Sequence, residues 1–467
     1  MIRTVSASMI VNRICVAAVP VILLVSIRDV GCAQFIHERA REQWVALFEG
    51  HRVRNDRCQA VVVDDQGSCY VTGESVGDGS GFDMTTVKYD TEGNLQWESW
   101  YDGPASIHDF THDIAIDSTG NVYVVGSSLA ADYDYALIKY SNDGMEQWVS
   151  RYSGPGDSWD IPQAIALDEE GNICVTGTTH TEGYRYTTVK YDTNGNQMWA
   201  SFYLGTAADD IATAIVCDPA GNVFVTGSSS SMDSSYSEDF ATIKYDPDGN
   251  ELWVARYDGP ANSSDESNAI ALDSNGNVYV TGSSAREYPP NGKYDCTTIK
   301  YDSQGNEIWI ERYSGPHDGG NSGRDIFIDE NDAVFIGGGS EGDFLTMRYD
   351  SDGNLLWDSK YAGPYGDDFV VSIDVDADEK VYVTGNSWGA GVGYDYATVG
   401  YAPRGVEMWS LRFNGPENDE DRVKGIGVDA AGNVYIAGET GSLGRADFAI
   451  IKYIQLPKIY TTTVELD

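Results

Sequence analysis

A unit of about 52 residues recurs eight times in this chain. A chain built that way is confined to folds that stack one supersecondary unit against its own copies. The third full unit reads QAIALDEEGNICVTGTTHTEGYRYTTVKYDTNGNQMWASFYLG. Four strands can be read from it. Strand a is the AIALD type and ends in a DxxGN turn. Strand b is the VYVTG type. A loop of variable length leads to strand c, the TTVKYD type. A second DxxGN turn leads to strand d, which carries a tryptophan. β-Branched and aromatic residues fill the strands, while Asp, Gly and Asn fill the turns.

The strand-d tryptophan recurs from Trp44 through Trp97 and Trp148 to Trp409, and the glycine ending strand b from Gly73 to Gly438. The ends are complementary. A lone Trp-bearing strand around Trp44 precedes the first full unit, and the last unit stops after Tyr453 without its Trp strand. Four-stranded sheets repeated radially hide their edges only when the ring closes. The pattern therefore predicts an all-β, eight-bladed β-propeller over residues 34–457, closed by the N-terminal strand completing the last blade, with 458–467 as a C-terminal tail. An open β-solenoid is the competing architecture, and it would not need complementary ends.

The pattern DxAxAIALDxxGNVYVTG…DYATIKYDxxGNxxW resembles the bacterial β-propeller repeat family SBBP, and it is similar to the NHL repeat in its inner strand and GN turn. The resemblance covers roughly residues 41–454. It implies a secreted or surface propeller and carries no single activity. The family name implies seven blades, whereas the count here is eight.

Composition narrows the function. The chain has 73 acidic and 30 basic residues, a formal net charge of −43. Nucleic acid and anionic membrane surfaces are bound through Lys and Arg, so this balance argues against both. Arg3 and Arg13 precede an apolar run from Ile14 to Ile27, broken by Pro20. That run is shorter than the roughly 20 residues of a membrane span and has the length of a signal-peptide core. Gly31-Cys32-Ala33 places cleavage before Gln34, so residues 1–33 read as a signal peptide and the mature chain as secreted or cell-surface. Lipoprotein anchoring at Cys32 is the alternative, against which Asp29 stands where a lipobox has Leu. Five cysteines remain after cleavage: Cys58, Cys69, Cys174, Cys217 and Cys296. Cys174 and Cys217 occupy positions that are apolar in other repeats, and Cys58 and Cys69 are out of register for a bridge. No disulfide framework is expected.

A residue present in every blade does a job every blade needs, which is usually structural. An Asp opens strand a at Asp56, Asp109, Asp160, Asp210, Asp265, Asp368 and Asp421, with Asn321 in blade 6. It reads either as an Asx-type hydrogen bond to the connecting backbone or as an acidic ring collecting cations. A second Asp opens strand c, and a Lys five residues on is placed to pair with acids of a neighbouring blade. The DPDGN turn (246–250) superficially suggests Ca2+, but a calcium loop needs six or more oxygen ligands and a later Glu. Cofactors are therefore none, with Ca2+ on the acidic positions the one candidate. Three acids break the symmetry inside strand a: Asp113, Asp325 and Asp374. With Asp109, His108 and His112 they form the candidate metal set.

The a–b and c–d turns are short and share one face. The b–c loops and d–a connectors share the other, and these vary, as binding loops on a rigid scaffold do. Unrepeated aromatics gather there: Trp159, Trp388, Tyr133, Tyr184, Tyr236, Tyr288, Tyr294, Tyr365 and Tyr394. Each ring can simply pack its own loop; as a set they suit a protein or a polysaccharide partner. No GxSxG, HExxH, Walker loop or Cys–His pair is present. The sequence thus points to a non-enzymatic, monomeric binding or scaffold module. A cation-stabilised surface protein and a polysaccharide hydrolase or lyase using Asp113, Asp325 or Asp374 are the alternatives.

Overall fold

The structure is a computed structural model. It describes residues 34–462 except 52–54, 78–80, 157–158, 182, 206–208, 232–236, 288–290, 318, 390–392 and 442–444, with side chains from 39 to 456. Residues 1–33, read above as a signal peptide, and Cys32 among them lie outside these residues. Strand β1 (Gln34–Phe48) is followed by seven meanders of four strands: β2–β5 (residues 57–101), β6–β9 (109–152), β10–β13 (160–203), β14–β17 (210–257), β18–β21 (265–313), β22–β25 (321–361) and β26–β29 (368–413). The last three strands are β30 (Asp421–Val428), β31 (Val434–Thr440) and β32 (Asp447–Thr462). Each meander is one antiparallel sheet, and the eighth sheet has the order β1-β32-β31-β30. β2 in turn packs against β30 and β31, which closes the ring of eight blades. The compact propeller unit runs from Glu38 to Pro457.

Most turns are built by their own aspartate, and Ser141 and Ala402 stand in that position in two of the c–d turns. Asp246 Oδ1 accepts the backbone N–H groups of Asp248 at 3.0 Å and Asn250 at 2.9 Å, and Gly249 takes the left-handed φ of 86° that follows. The Asn250 side-chain amide, which donates to Oδ2 at 2.9 Å, and these backbone bonds hold the Asp246 carboxyl below the usual carboxylate range, so the DPDGN turn is a hydrogen-bonded turn.

The strand-b glycine answers a second local constraint. Every innermost strand carries a β-bulge one residue after its buried third position, as between Cys58 and Ala60 or between Val423 and Gly425. The bulge pushes the preceding carbonyl toward strand b, where a Cβ on Gly73 would collide with the Arg57 oxygen, and one on Gly438 with the Arg422 oxygen.

The tryptophans join blade to blade. Trp199 Nε1 donates to the Pro247 carbonyl of the next blade at 2.9 Å, and its ring lies under Gly249 of the same turn. Trp97, Trp253, Trp309 and Trp357 make the equivalent bond. Trp44 on β1 makes it to Thr91 of blade 1 at 3.0 Å, so the N-terminal strand both completes blade 8 and grips blade 1. Five strand-c lysines donate to these same turns, as Lys139 to the Thr193 carbonyl at 3.4 Å and Lys452 to that of Thr91 at 2.9 Å, while Lys190 reaches the Gly221 carbonyl of the next a–b turn at 3.0 Å. Their acid partner, where present, belongs to their own blade, as in Lys190–Asp168 at 2.9 Å, and not to the neighbour as the spacing suggested. Among the described residues all five cysteines are free; Cys58, Cys69, Cys174 and Cys296 are buried, and Cys217 is half-buried.

Two glycines separate these effects. Gly249→Ala adds a Cβ at 2.6 Å from Trp199 Cδ2 on a left-handed residue, whereas Gly276→Ala, at φ 75°, meets nothing within 4 Å. Gly276→Ala should cost about 1 kcal/mol of backbone strain, and Gly249→Ala about 2–4 kcal/mol because overpacking is added. Chemical denaturation of both variants checks the difference.

Candidate functional site

The Asp that opens each strand a is buried and spent on hydrogen bonds. Asp109 Oδ2 accepts the Gly103 N–H at 2.7 Å, and Asp56, Asp160, Asp210, Asp265 and Asp421 take the matching glycine. In blade 4 the network is complete. Ser229 Oγ donates to Asp210 at 2.5 Å, and Arg256 binds Ser229 Oγ at 2.6 Å, Asp239 at 2.8 Å and the Tyr203 hydroxyl of the preceding blade at 2.9 Å. Asn321 keeps the hydroxyl link, accepting from Ser340 Oγ, and its amide donates to the Tyr294 carbonyl at 3.2 Å. Asp109 also meets Asp83 and Asp102, their carboxylate oxygens within 4.8 Å of one another; Asp239, Asp258 and Asp265 form the equivalent group beside Arg256.

Asp113, Asp325 and Asp374 bridge blades. Asp113 Oδ2 accepts the Ile165 N–H of blade 3 at 3.0 Å, Asp325 that of Ile373 in blade 7 at 3.0 Å, and Asp374 that of Val428 in blade 8 at 2.8 Å. The innermost strand is a sheet edge, and these carboxylates satisfy amides that the edge leaves open. They lie on blades 2, 6 and 7 and do not converge. The two histidines do not converge on Asp109 either. The His108 ring packs 5.7 Å from Phe82 and 5.8 Å from Phe110, and its Nδ1 accepts the Phe82 N–H at 3.2 Å. His112 sits in the bulge with Nε2 at 2.9 Å from Ser127 Oγ. A spacing of four brings side chains together on a helix; on a bulged strand it does not.

The loop-face aromatics form two rows. Four of the tyrosines expected in b–c loops instead open strand c: Tyr133, Tyr184, Tyr294 and Tyr394. Trp388 closes strand b and pairs with Tyr394. Tyr236 and Tyr288 lie outside the described residues. One row runs Phe82–Phe110–Tyr133–Trp159, with centroids 6.4, 5.8 and 6.1 Å apart. The other joins Phe369 and Trp388 to Tyr394 at 5.1 and 5.0 Å. Trp159, Tyr365, Trp388 and Tyr184 remain 58, 50, 40 and 40% exposed. Tyr184 packs on His180, and Tyr294 stands apart on blade 5.

Between the rows lies a cleft that the sequence reading missed. Its volume is about 330 Å³, and it is lined by Asn55, Arg57, Gln59, Glu420, Arg422, Lys424, Glu439, Gly441 and Ala446, from blades 1 and 8. Arg57 lies over the Phe82 ring at 4.9 Å and Arg422 over Tyr394 at 5.5 Å, so each arginine ends one aromatic row. Arg57 faces Glu74 across the ladder, and Arg422 faces Glu439. Lys424 Nζ lies 3.5 Å from Gln59 Oε1 and 4.0 Å from Glu439, and Gln59 donates to Glu74 at 3.2 Å. Burial pushes the Glu74 carboxyl up to about 7, against the lowering effect of Gln59, Arg57 and Lys424; burial raises Glu439 too. A larger hollow of about 830 Å³ lies between blades 6 and 7, where Gly319, Gly320, Gly339 and Gly342 lower the rim. Phe369 lines it, so Phe369, Tyr394 and Arg422 connect the two hollows.

Residues 103–134, 255–286 and 409–444 match the β-propeller repeat family SBBP. The chain carries SBBP repeats. It is also similar to an uncharacterized WD repeat-containing protein of Acanthamoeba polyphaga mimivirus, 26% identical over 266 residues, 51% of this chain and 17% of that protein. Among solved structures it is similar to a protein from Lactobacillus plantarum, 16% identical with a TM-score of 0.45, over 65% of this chain and 84% of that one. Another is a protein of unknown function from Bacteroides caccae, 12% identical with a TM-score of 0.37, over 64% and 95%.

The alignment of the SBBP repeats held a signal for the cleft. After the strand-b glycine, blades 2–7 carry Ser127, Thr178, Ser228, Ser283, Gly339 and Asn386, and blades 1 and 8 alone carry Glu74 and Glu439. After the strand-a Asp, blades 1 and 8 alone carry Arg. No helix among the described residues is long and apolar enough to cross a membrane.

Burial raises Asp374 to about 7 and Asp113 to about 6, from an ordinary value of 3.8. A carboxyl raised in the folded state contributes its full stability below the unfolded value and loses it as pH climbs through the folded one. Stability should therefore fall as pH rises from about 4 to about 8, by roughly 1–3 kcal/mol for such a group. Asp374→Asn should flatten that slope in denaturant titrations across the range.

Proposed function

We propose that this chain is an exported, non-catalytic binding propeller that takes a macromolecular ligand across its loop face. The observation carrying this reading is the aromatic ridge of Phe369, Trp388 and Tyr394 set between two hollows, all on the face where the repeats diverge. Rigid rings with partly exposed faces supply contact area at low entropic cost. The blades behind them are locked by repeated bonds, so the face is preorganised. Asp113, Asp325 and Asp374 are engaged by backbone amides, which favours binding over acid–base chemistry there. Export follows from the apolar run before Gln34 and fits the acidic surface.

The mature chain, residues 34–467, should be retained by immobilised extracellular polysaccharides or surface proteins. Trp388→Ala should weaken retention tenfold or more, and Trp159→Ala, farther from the ridge, less. Both should keep the wild-type melting temperature. Retention unchanged in both variants would remove the loop-face assignment.

A further inference from the structure

We infer that the cleft between blades 8 and 1 is a subsite for an uncharged sugar residue, and that the ligand of the loop face is a neutral polysaccharide; this rests on the binding role proposed above. The charges in the cleft are matched within it. Arg422 pairs with Glu420 at 2.5 Å, Lys424 stands 4.0 Å from Glu439, and Arg57 faces Glu74. Paired groups of this kind offer fixed donors and acceptors while keeping the net charge of the cleft small. Sugar hydroxyls both donate and accept, and vicinal pairs fit planar groups such as guanidinium, carboxylate and amide.

Two further features point the same way. Phe82 and Tyr394 back the cleft behind Arg57 and Arg422, and beyond Tyr394 the Trp388 ring is 40% exposed, a surface on which the C–H face of a pyranose stacks. Ala446 is the one apolar side chain among the lining residues, so the cleft lacks the buried anchor pocket on which peptide recognition depends. The net charge of −43 opposes approach of a polyanion, which leaves neutral glycans as the matching class. The cleft volume, about 330 Å³, lies at the lower end of ligand pockets, which run from about 300 to 1,000 Å³. One sugar residue would sit there while the chain continues over the blade 7 ridge.

The test is affinity electrophoresis and calorimetry of the mature chain with β-glucan, xylan, mannan and galactan, beside polygalacturonate and alginate, and with a random peptide library. The expected result is retention by at least one neutral polysaccharide, unchanged by about 0.5 M NaCl because no ion pair forms with the ligand. Lys424→Met and Glu439→Gln should each weaken it tenfold or more with the melting temperature unchanged. Arg422→Gln serves where those changes disturb folding, since the Arg422 side chain is 44% exposed. Retention by acidic polysaccharides only, by peptides only, or by none of the probes overturns the inference. Neutral-glycan binding that Trp388→Ala abolishes and the cleft variants leave intact overturns the subsite while the loop-face reading stands. Binding indifferent to both sets removes both.

Discussion

Six of the eight strand-d indoles, Trp44, Trp97, Trp199, Trp253, Trp309 and Trp357, lie under the glycine of the next blade's turn and donate to a carbonyl of that turn, and the ring depends on this contact. It fixes how far one blade sits from the next, and it recurs at the seam, where Trp44 from the N-terminal strand reaches Thr91 of blade 1. A ring closed by non-covalent contacts is only as strong as its seam. Here the seam is held by the β1–β32 ladder, by the Trp44 bond and by Lys452 on the Thr91 carbonyl.

Much of the polar chemistry is structural. The Asp–Ser–Arg–Asp network of blade 4, with Tyr203 from blade 3, ties all four strands to each other and to the neighbouring blade. Blade 3 has Arg185 where the other blades have the strand-c Asp, and Phe202 where blades 2, 4, 5 and 7 have Arg. Blade 1 keeps Asp83 but carries Trp100 in the arginine position, and this ring stacks on His51 at 4.3 Å. Departures from the repeat occur around the ring, and at the closing blades they make the charged cleft.

The blade count, the strand order and the closing role of the N-terminal strand were legible because each rests on local periodicity repeated eight times. The repeated Asp residues read from the sequence as either hydrogen-bonding struts or an acidic ring, and the fold gives them connector-glycine amides as partners. The bulge in strand a was not. It leaves no period of its own in the sequence, and the invariant glycine opposite it, such as Gly73, reads equally as a strand end. Without the bulge, His108 and His112 looked like a pair and Asp113 looked free. With it, all three have separate partners.

The sequence by itself determined a ring of eight four-stranded blades, because turn chemistry, strand alternation and the Trp–Gly contact are each written within one repeat or between adjacent ones. Only the tertiary structure decided where charge and aromatic surface meet. Gln59 and Lys424 are 365 residues apart in the chain and 3.5 Å apart in the fold. Closure of the ring makes the first and last units neighbours, and that adjacency is a property of the closed circle, which no window of sequence contains.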